Sequence, residues 1–214
     1  MPPRGPHRLF FDLWSTVYDA PAVQRLTYRP VQDAVLRALG PNPPARILDV
    51  GCGTGRLTTR LARELPPSRV VGCDFSRGML RHAYANGSAL AWVQGDAQRL
   101  PFADGSFDAV VSTEAFHWFP DPASALAAFH RVLAPRGRLL IAFVNPSFDA
   151  LSRASRVVSR WLGEPLRWPT PEVLRGQIEA AGFEVVSQRR LFRLPAPVLF
   201  PPVLTEAVRS EDGA

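Results

Sequence analysis

Along most of the chain, short runs of consecutive apolar residues alternate with longer stretches in which apolar residues recur every three or four positions. Short apolar runs are typical of strands with both faces buried, whereas the longer spacing is typical of amphipathic helices. We predict strands at 47–50, 70–73, 89–93, 107–111, 137–144, 183–191 and 203–208. We expect the last of these, which follows two prolines, to pair antiparallel with its neighbours.

The predicted helices fill the intervals between the strands, and several have recognisable ends. Pro30 suits a first helical turn, and Ser76 and Thr170 are residue types that cap helix N-termini. Gly182 suits the left-handed position that follows a helix. Apolar spacing predicts further helices at 57–65, 126–133 and 148–162. Alternating strands and helices indicate an α/β fold with a parallel sheet and right-handed crossovers.

Composition narrows the classes of function. The formal net charge is +6, and all 25 basic residues are arginine. They are scattered along the chain, which favours a solvated basic surface over a nucleic-acid site. No apolar run approaches the ~20 residues that span a bilayer, and the N-terminus lacks a signal-peptide core, so we expect a cytoplasmic protein. Cys52 and Cys73 have no CxxC partner and are expected to be reduced thiols.

The most informative motif is ILDVGCGTG at 47–55, in which a predicted strand runs into three alternating glycines. Glycine has no Cβ, so such a loop turns tightly and lets a ligand approach the backbone, while the following helix presents free N–H groups. The GxGxG spacing differs from the GxGxxG of dinucleotide sites, although a glycine-rich loop alone fits both kinds of site.

Acidic residues follow the next two predicted strands. Asp74 comes about twenty residues past the glycine loop, where a carboxylate can bind ribose hydroxyls. Its alternative roles are a helix N-cap or a surface charge. Asp96 can accept a hydrogen bond from an exocyclic amino group, or it can cap its own loop. Both are expected at the carboxyl edge of the sheet, where α/β proteins bind ligands.

In this order and spacing, these segments resemble the class I S-adenosylmethionine-dependent methyltransferases, in particular the subfamily of ubiquinone/menaquinone C-methyltransferases and many small-molecule methyltransferases. LPFADGSFD and GRLLIAF also match that subfamily, as does AAGFEVV at the entry to the sixth strand. The resemblance implies a Rossmann-like three-layer sandwich with a mostly parallel seven-stranded sheet and an antiparallel last strand. We expect an N-terminal helical and aromatic cap at 1–45, a cofactor-binding core at 46–145, and C-terminal helices and last strands of the same domain at 146–214.

The resemblance also implies that S-adenosylmethionine is the cofactor and S-adenosylhomocysteine the product. By position, the backbone of Gly51, Gly53 and Gly55 would hold the methionine part, with Asp49 nearby. Thr113 belongs to the segment 110–121, which in the family faces both the methionine end and the substrate.

The adenosine part is assigned in the same way. Asp74 matches the acidic residue that binds the ribose, and Phe75 would pack beside the adenine. Asp96 and Ala97 match the pair that contacts the adenine edge.

His117, just beyond the fourth strand, is the candidate catalytic base for an acceptor that must lose a proton, with Glu114 as a second candidate. The alternative for His117 is a residue of the pocket wall, since methyl transfer from this cofactor does not require a base. The histidines show no metal-ligand spacing, so no metal site is predicted.

The predicted function is in-line methyl transfer to a small apolar or aromatic acceptor by a monomer or homodimer, with no nucleic-acid partner. Aromatic side chains that are candidates for lining the acceptor pocket are Phe10, Phe11, Trp14, Tyr18, Phe116, Trp118, Phe119, Trp161 and Trp168. One alternative is a nicotinamide-dependent oxidoreductase, which the GxGxG spacing disfavours. The other is a non-catalytic protein of this fold that binds the cofactor or a nucleic acid, for which the short tail and the positive charge leave room.

Overall fold

The computed structural model of this chain describes residues 28–66, 68–144, 168–191 and 202–210. In those ranges seven strands form a single sheet with the order β3-β2-β1-β4-β5-β7-β6. The strands are β1 (Arg46–Val50), β2 (Arg69–Asp74), β3 (Ala91–Gln94), β4 (Phe107–Thr113), β5 (Leu133–Val144), β6 (Phe183–Arg190) and β7 (Pro202–Arg209).

Neighbouring strands from β3 to β5 run parallel, whereas β7 runs antiparallel to both β5 and β6. The predicted mostly parallel sheet with an antiparallel last strand is therefore confirmed. Strands β2 and β3 lie on one side of β1, in chain order. The chain then crosses to the other side of β1, where β4 and β5 lie. The connections after β1 and β4 consequently diverge, which opens a crevice at the carboxyl edge of the sheet.

Some strand boundaries differ from the predicted ones because pairing with a neighbour extends or shortens the strand. β4 continues to Thr113, which pairs with Ala142 of β5. β3 begins at Ala91, the first of its residues that pairs with β2. β5 begins at Leu133, opposite Phe107, and its early residues include Arg136 at a φ of 59°. The extension of β4 brings Thr113 to the carboxyl edge.

Among the described residues, five α-helices flank the sheet, and a short 3-10 turn lies at Phe116–Trp118. The predicted caps are confirmed: Ser76 Oγ accepts the Met79 N–H at 3.2 Å, and Thr170 Oγ1 accepts the Val173 N–H at 3.4 Å. The helix predicted at 148–162 lies outside the described residues. The helices are α1 (Arg29–Leu39), α2 (Arg56–Glu64), α3 (Arg77–Asn86), α4 (Pro122–Val132) and α5 (Pro171–Ala180).

Helices cover both faces of the sheet, as β5 illustrates. Its residues Leu139, Ile141 and Phe143 pack in one core cluster with side chains of α4 and α5. The intervening Leu140 and Ala142 pack in a second cluster with side chains of α1 and α2. Successive side chains of a strand point to opposite faces, so an unbroken apolar strand supplies both cores. The predicted three-layer sandwich is confirmed.

Two arginines, from β5 and β6, bond to carbonyls in the middle and the last turn of α1. Arg138 Nη2 donates to the Ala38 carbonyl at 2.7 Å, and Arg189 Nη2 donates to the Ala34 carbonyl at 3.4 Å. Both guanidinium groups also pair with Glu206 of β7, at 3.7 and 3.5 Å. Cations at a helix C-terminus are favourable, because the last carbonyls carry partial negative charge. These contacts fix α1 against β5, β6 and β7.

Asp121→Ala is expected to lower the free energy of unfolding by about 1 kcal/mol, because it removes the N-cap of α4. Asp121 Oδ1 accepts the N–H groups of Ala123 and Ser124, at 3.1 and 3.2 Å. Urea unfolding followed by circular dichroism measures the change. Asp104→Ala is the control, since it removes only an exposed ion pair with Arg131 and should cost less than ~0.5 kcal/mol. Equal losses in the two variants would contradict the capping role.

Candidate functional site

The loop after β1 lies at the carboxyl edge of the sheet and is held there by the neighbouring strand. The N–H groups of Gly51 and Cys52 both donate to the Cys73 carbonyl of β2, at 2.8 and 3.2 Å. Gly51, Gly53 and Gly55 have φ values of 72°, 56° and 77°, in the left-handed region that other residues rarely adopt. The alternating glycines therefore allow the loop to turn immediately after the strand.

The three glycines are surrounded differently. A Cβ on Gly51 would overlap the side chain of Ala115, and a Cβ on Gly55 would overlap the ring of Trp92. A Cβ on Gly53 would meet nothing within 4 Å among the described residues. Gly51 and Gly55 therefore serve the close packing of the protein itself, whereas Gly53 borders open space that a ligand can occupy.

Asp74, at the end of β2, is bound directly to this loop. Its Oδ2 accepts the Gly53 N–H at 2.8 Å, and its Oδ1 accepts the Ser76 N–H, also at 2.8 Å. Burial raises the pKa of Asp74, while these backbone N–H groups act to lower it. Each carboxylate oxygen retains a second lone pair that can accept a hydrogen bond from a ligand. The structure thus brings Asp74 and the glycine loop together.

Phe75 follows Asp74, and 40% of the surface of this residue is exposed. The backbone around it is held by Gln94 at the end of β3, whose Nε2 donates to the Phe75 carbonyl at 3.1 Å. Gln94 Oε1 in turn accepts a hydrogen bond from Arg77 Nε at 2.8 Å. Nothing in the local sequence indicates this supporting role, because the pairing of β2 with β3 is what brings Gln94 close to Phe75.

Asp96 lies at the same edge, but part of its carboxylate is used by its own loop. Its Oδ1 accepts hydrogen bonds from the backbone N–H and the side-chain Nε2 of Gln98, at 2.9 and 3.1 Å. This is the loop-capping arrangement that the sequence left open as an alternative. Ala97 is partly buried against the main core cluster. Contact of Asp96 and Ala97 with a ligand stays a prediction.

Asp49 is buried beneath the loop, with 1% of its surface exposed. Thr58 Oγ1 of α2 donates to Asp49 Oδ2 at 2.6 Å, whereas Asp49 Oδ1 has no hydrogen-bond partner among the described residues. Burial, together with a smaller effect of the negative charge of Asp74, raises the pKa of Asp49 to about 7, although the hydrogen bond from Thr58 acts to lower it. An unsatisfied acceptor in this position is free to bind a donor or a cation.

A cleft opens beside the loop at the point where the connections that follow β1 and β4 diverge. The residues that line it are Tyr28, Val31 and Gln32 on the α1 side, Gly51, Cys52, Thr54, Arg56 and Leu57 from the loop and α2, and Thr113 and Glu114 after β4. Thr113 was predicted at the site, whereas Tyr28, Gln32 and Arg56 were not. Arg56 directly follows the glycine motif, so its position in the sequence could have identified it as a residue of the site. Nothing in the local sequence of Tyr28 or Gln32 marks them.

Glu114 has an unusual backbone conformation at the rim of this cleft. Its φ is 53°, in the left-handed region, and its N–H donates to the Ala142 carbonyl at 2.7 Å. A residue other than glycine is held there only when its surroundings enforce it, and such residues cluster at functional sites. Glu114 and Arg56 give the cleft one acidic and one basic side chain.

His117 lies in the 3-10 turn after β4 and is 7% exposed. Its ring packs near Trp118, Phe143 and Trp168, with centroid distances of 5.3, 5.6 and 6.3 Å. Burial lowers the pKa of His117 to about 3, so the imidazole is neutral at physiological pH and a weak base. Its Nδ1 has no hydrogen-bond partner among the described residues. A role as catalytic base stays a prediction.

The other predicted aromatic residues are divided between the core and undescribed parts of the chain. Phe116 is 1% exposed and stacks on Phe143 in the main core cluster, while Phe119 is partly buried. Phe10, Phe11, Trp14, Tyr18 and Trp161 lie outside the described residues. Within the described ranges, no group of three His, Cys, Asp or Glu side chains could hold a metal ion. No helix there is long and apolar enough to cross a bilayer.

Comparison with known proteins relates this site to one family. Residues 48–141 match a family model described as a methyltransferase domain. The chain is 38% identical over 166 residues to demethylmenaquinone methyltransferase of Thermus thermophilus, covering 66% of this chain and 76% of that protein. It is 36% identical over 178 residues to demethylmenaquinone methyltransferase of Beutenbergia cavernae, covering 74% and 73% respectively.

One solved structure shares the fold along nearly the whole chain. Magnesium protoporphyrin IX methyltransferase of Synechocystis, solved with bound S-adenosylhomocysteine, superposes with a TM-score of 0.71 at 21% identity. The alignment covers 96% of each chain. At this level of identity the likeness establishes the fold alone.

The stability of the free protein is expected to fall as the pH rises from about 4 to about 7, because of Asp49. With a pKa near 7 when folded and about 3.9 when unfolded, Asp49 holds a proton in the folded state that the unfolded chain has lost. Asp49→Asn removes this dependence. Relative to wild type, the variant should therefore gain roughly 2–3 kcal/mol in free energy of unfolding between pH 5 and pH 8.

Denaturant unfolding at several pH values measures that gain. Asp108→Asn is the control, because the Arg46 hydrogen bond lowers the pKa of Asp108, which stays ionised in both states across this pH range. Its effect on stability should not vary with pH. A difference between Asp49→Asn and wild type that is constant from pH 5 to pH 8 would contradict the assignment.

Proposed function

This chain belongs to the class I S-adenosylmethionine-dependent methyltransferases, and we propose that it methylates a small apolar or aromatic acceptor at the carboxyl edge of its sheet. The observation that carries the proposal is the 2.8 Å hydrogen bond from the Gly53 N–H to the Asp74 carboxylate. It joins the glycine loop and the acidic residue that the family uses for its cofactor into one rigid unit beside an open cleft.

The residues at this edge fit the cofactor. Gly53 borders open space, and Asp74 keeps acceptor capacity for ribose hydroxyls. The exposed ring of Phe75 offers a surface on which adenine can pack. Asp49 Oδ1 is a buried acceptor that lacks a partner among the described residues, which suits the cationic end of the ligand.

These features support a specific assignment of roles. The backbone from Gly51 to Gly55, with Thr113 opposite, would hold the methionine part, and Asp74 would hold the ribose. Asp96, through the oxygen that Gln98 does not use, and Ala97 would contact the adenine edge. Asp49 would contribute a negative potential below the sulfonium.

S-adenosylmethionine, when bound, supplies a methyl group on a positively charged sulfonium, which a nucleophilic acceptor atom displaces in line. The contribution of the chain is to fix the geometry of this encounter and to exclude water. The loop is rigid because the N–H groups of Gly51, Cys52 and Gly53 all donate to β2, and the Gly55 N–H donates to a carbonyl of the loop itself. Buried carboxylates favour a cationic ligand, because their charge is poorly screened by solvent.

The surroundings of His117 support this choice of acceptor. Aromatic rings surround the imidazole, so a small apolar or aromatic molecule is the acceptor that this wall would contact best. Two relatives are demethylmenaquinone methyltransferases by name, which makes demethylmenaquinone the first acceptor to test. His117 Nδ1 would accept the hydrogen bond of an acceptor hydroxyl.

The first test is cofactor binding measured by calorimetry. Wild-type protein should bind S-adenosylmethionine and S-adenosylhomocysteine with micromolar affinity and should not bind NADH. Asp74→Asn should weaken both by about tenfold or more, because it removes a charged acceptor from the ribose hydroxyls. Asp104→Asn, on an exposed loop, should leave both affinities unchanged. Absence of binding to the wild-type protein would refute the cofactor assignment.

The second test is methyl transfer from labelled S-adenosylmethionine to demethylmenaquinone and to a small-molecule extract. His117→Phe keeps a ring in the aromatic cluster but removes the nitrogen, and we expect transfer to a hydroxyl-bearing acceptor to fall at least about tenfold. Cofactor affinity should stay within about twofold, as it should in the control His82→Gln on the exposed face of α3.

Because the pKa of His117 is about 3, no His117 titration should appear in the pH–rate profile between pH 6 and pH 9. A full rate in His117→Phe would eliminate His117 from the reaction. Cofactor binding without transfer to any small molecule would instead favour the non-catalytic alternative.

A further inference from the structure

One wall of the cleft comes from α1, a helix outside the glycine motif. Gln32 projects from it and lines the cleft opposite the loop, although only 8% of its surface is exposed. A buried amide needs partners for both its oxygen and its nitrogen, because desolvating either without a hydrogen bond costs free energy. The partner of its oxygen indicates which way the amide nitrogen faces.

Arg60 of α2 binds that oxygen. Its Nη1 donates to Gln32 Oε1 at 3.2 Å, while its Nη2 donates to Asp33 Oδ1 at 2.6 Å and its Nε donates to Glu64 Oε1 at 3.1 Å. A guanidinium group has only donors, so the opposite amide orientation would bring two donors together. Arg60 therefore fixes the Gln32 oxygen towards itself, which leaves the NH2 group as the end of the amide that can serve a ligand in the cleft that Gln32 lines.

The surrounding elements hold this arrangement rigidly. Arg138 and Arg189 fix α1 against the sheet, and the two acidic partners of Arg60 fix the guanidinium between α1 and α2. Gln32 is therefore presented in one orientation before any ligand binds. A preorganised donor adds more to binding than a mobile one, because no side-chain freedom is lost on association.

The cleft has two poles of opposite chemistry. The donor pole consists of the Gln32 amide, the Arg56 side chain and the start of α2, whose N-cap Gly55 makes no side-chain cap. The acceptor pole consists of Glu114, with Asp49 beneath the loop. A zwitterionic α-amino acid group matches both poles: its carboxylate faces the donors and its ammonium faces the acids.

We propose that Gln32, oriented by Arg60, donates a hydrogen bond to the α-carboxylate at the methionine end of the cofactor. This inference rests on the proposed function, since it concerns the same ligand. Gln32 is a binding residue in this scheme, and Arg60 is a positioning residue that acts through it. The site thereby distinguishes ligands with the carboxylate from otherwise identical ligands without it.

The experiment compares two ligands by calorimetry: S-adenosylhomocysteine and its decarboxylated analogue, which lacks only the carboxylate. Gln32→Leu keeps the shape of the side chain and removes the donor. It should weaken S-adenosylhomocysteine binding about tenfold, the usual effect of losing a hydrogen bond to a charged group, and leave the analogue unchanged. Gln32→Met, a second variant of similar volume, should give the same ligand dependence.

Arg60→Met tests the positioning role. It should weaken S-adenosylhomocysteine binding by roughly three- to tenfold and leave the analogue unaffected. In a protein that already carries Gln32→Leu, it should have no further effect on either ligand, whereas a merely structural role would weaken both. Arg63→Met is the matched control, because Arg63 is an exposed arginine of the same helix and also pairs with Glu64.

The possible failures are distinguishable. If wild-type protein binds neither ligand, the proposed function fails. If wild-type protein binds S-adenosylhomocysteine but the Gln32 variants weaken both ligands equally, or weaken neither, the function stands and the carboxylate contact is overturned. Additive effects of Arg60→Met and Gln32→Leu would overturn the positioning role alone.

Discussion

The hydrogen bond between the Gly53 N–H and the Asp74 carboxylate joins two segments that the chain order keeps apart. The same carboxylate also accepts the Ser76 N–H at the start of α3, so one side chain sets the tip of the first loop and the entry to the next helix. Gly53 makes this bond with a φ of 56°, a left-handed conformation that glycine adopts readily. The position of the loop, and with it the shape of the cleft beside it, depends on this junction.

Asp49 and Asp74 place two largely desolvated carboxylates at one edge of the sheet. Burying their negative charges close together destabilises the protein when no ligand is bound. Burial and the charge of Asp74 raise the pKa of Asp49 to about 7, against the hydrogen bonding of Thr58. A cationic ligand offsets that cost, because it supplies the charge that the described residues do not place beside Asp49 Oδ1. The arrangement therefore destabilises the free site in favour of the bound one.

The loop and its opposite wall are built by different kinds of constraint. At Gly51 and Gly55 the constraint is steric, since Ala115 and Trp92 occupy the places where their side chains would lie. At Gln32 the constraint is a hydrogen bond. Arg60 binds the side-chain oxygen of Gln32, which lies on helix α1. The first constraint shapes the cavity, and the second determines which groups face into it.

The sequence by itself determined the order of the strands along the chain, the glycine loop and the caps at Ser76 and Thr170. Apolar spacing, backbone freedom and capping act within a few residues, so they can be predicted from the local pattern. Only the tertiary structure decided that Gln32 lines the cleft, that Gln98 takes up one oxygen of Asp96, and that burial beside Phe143 leaves His117 a weak base. These outcomes depend on burial and charge contributed by residues distant in the chain, and no local pattern records which distant residues become neighbours.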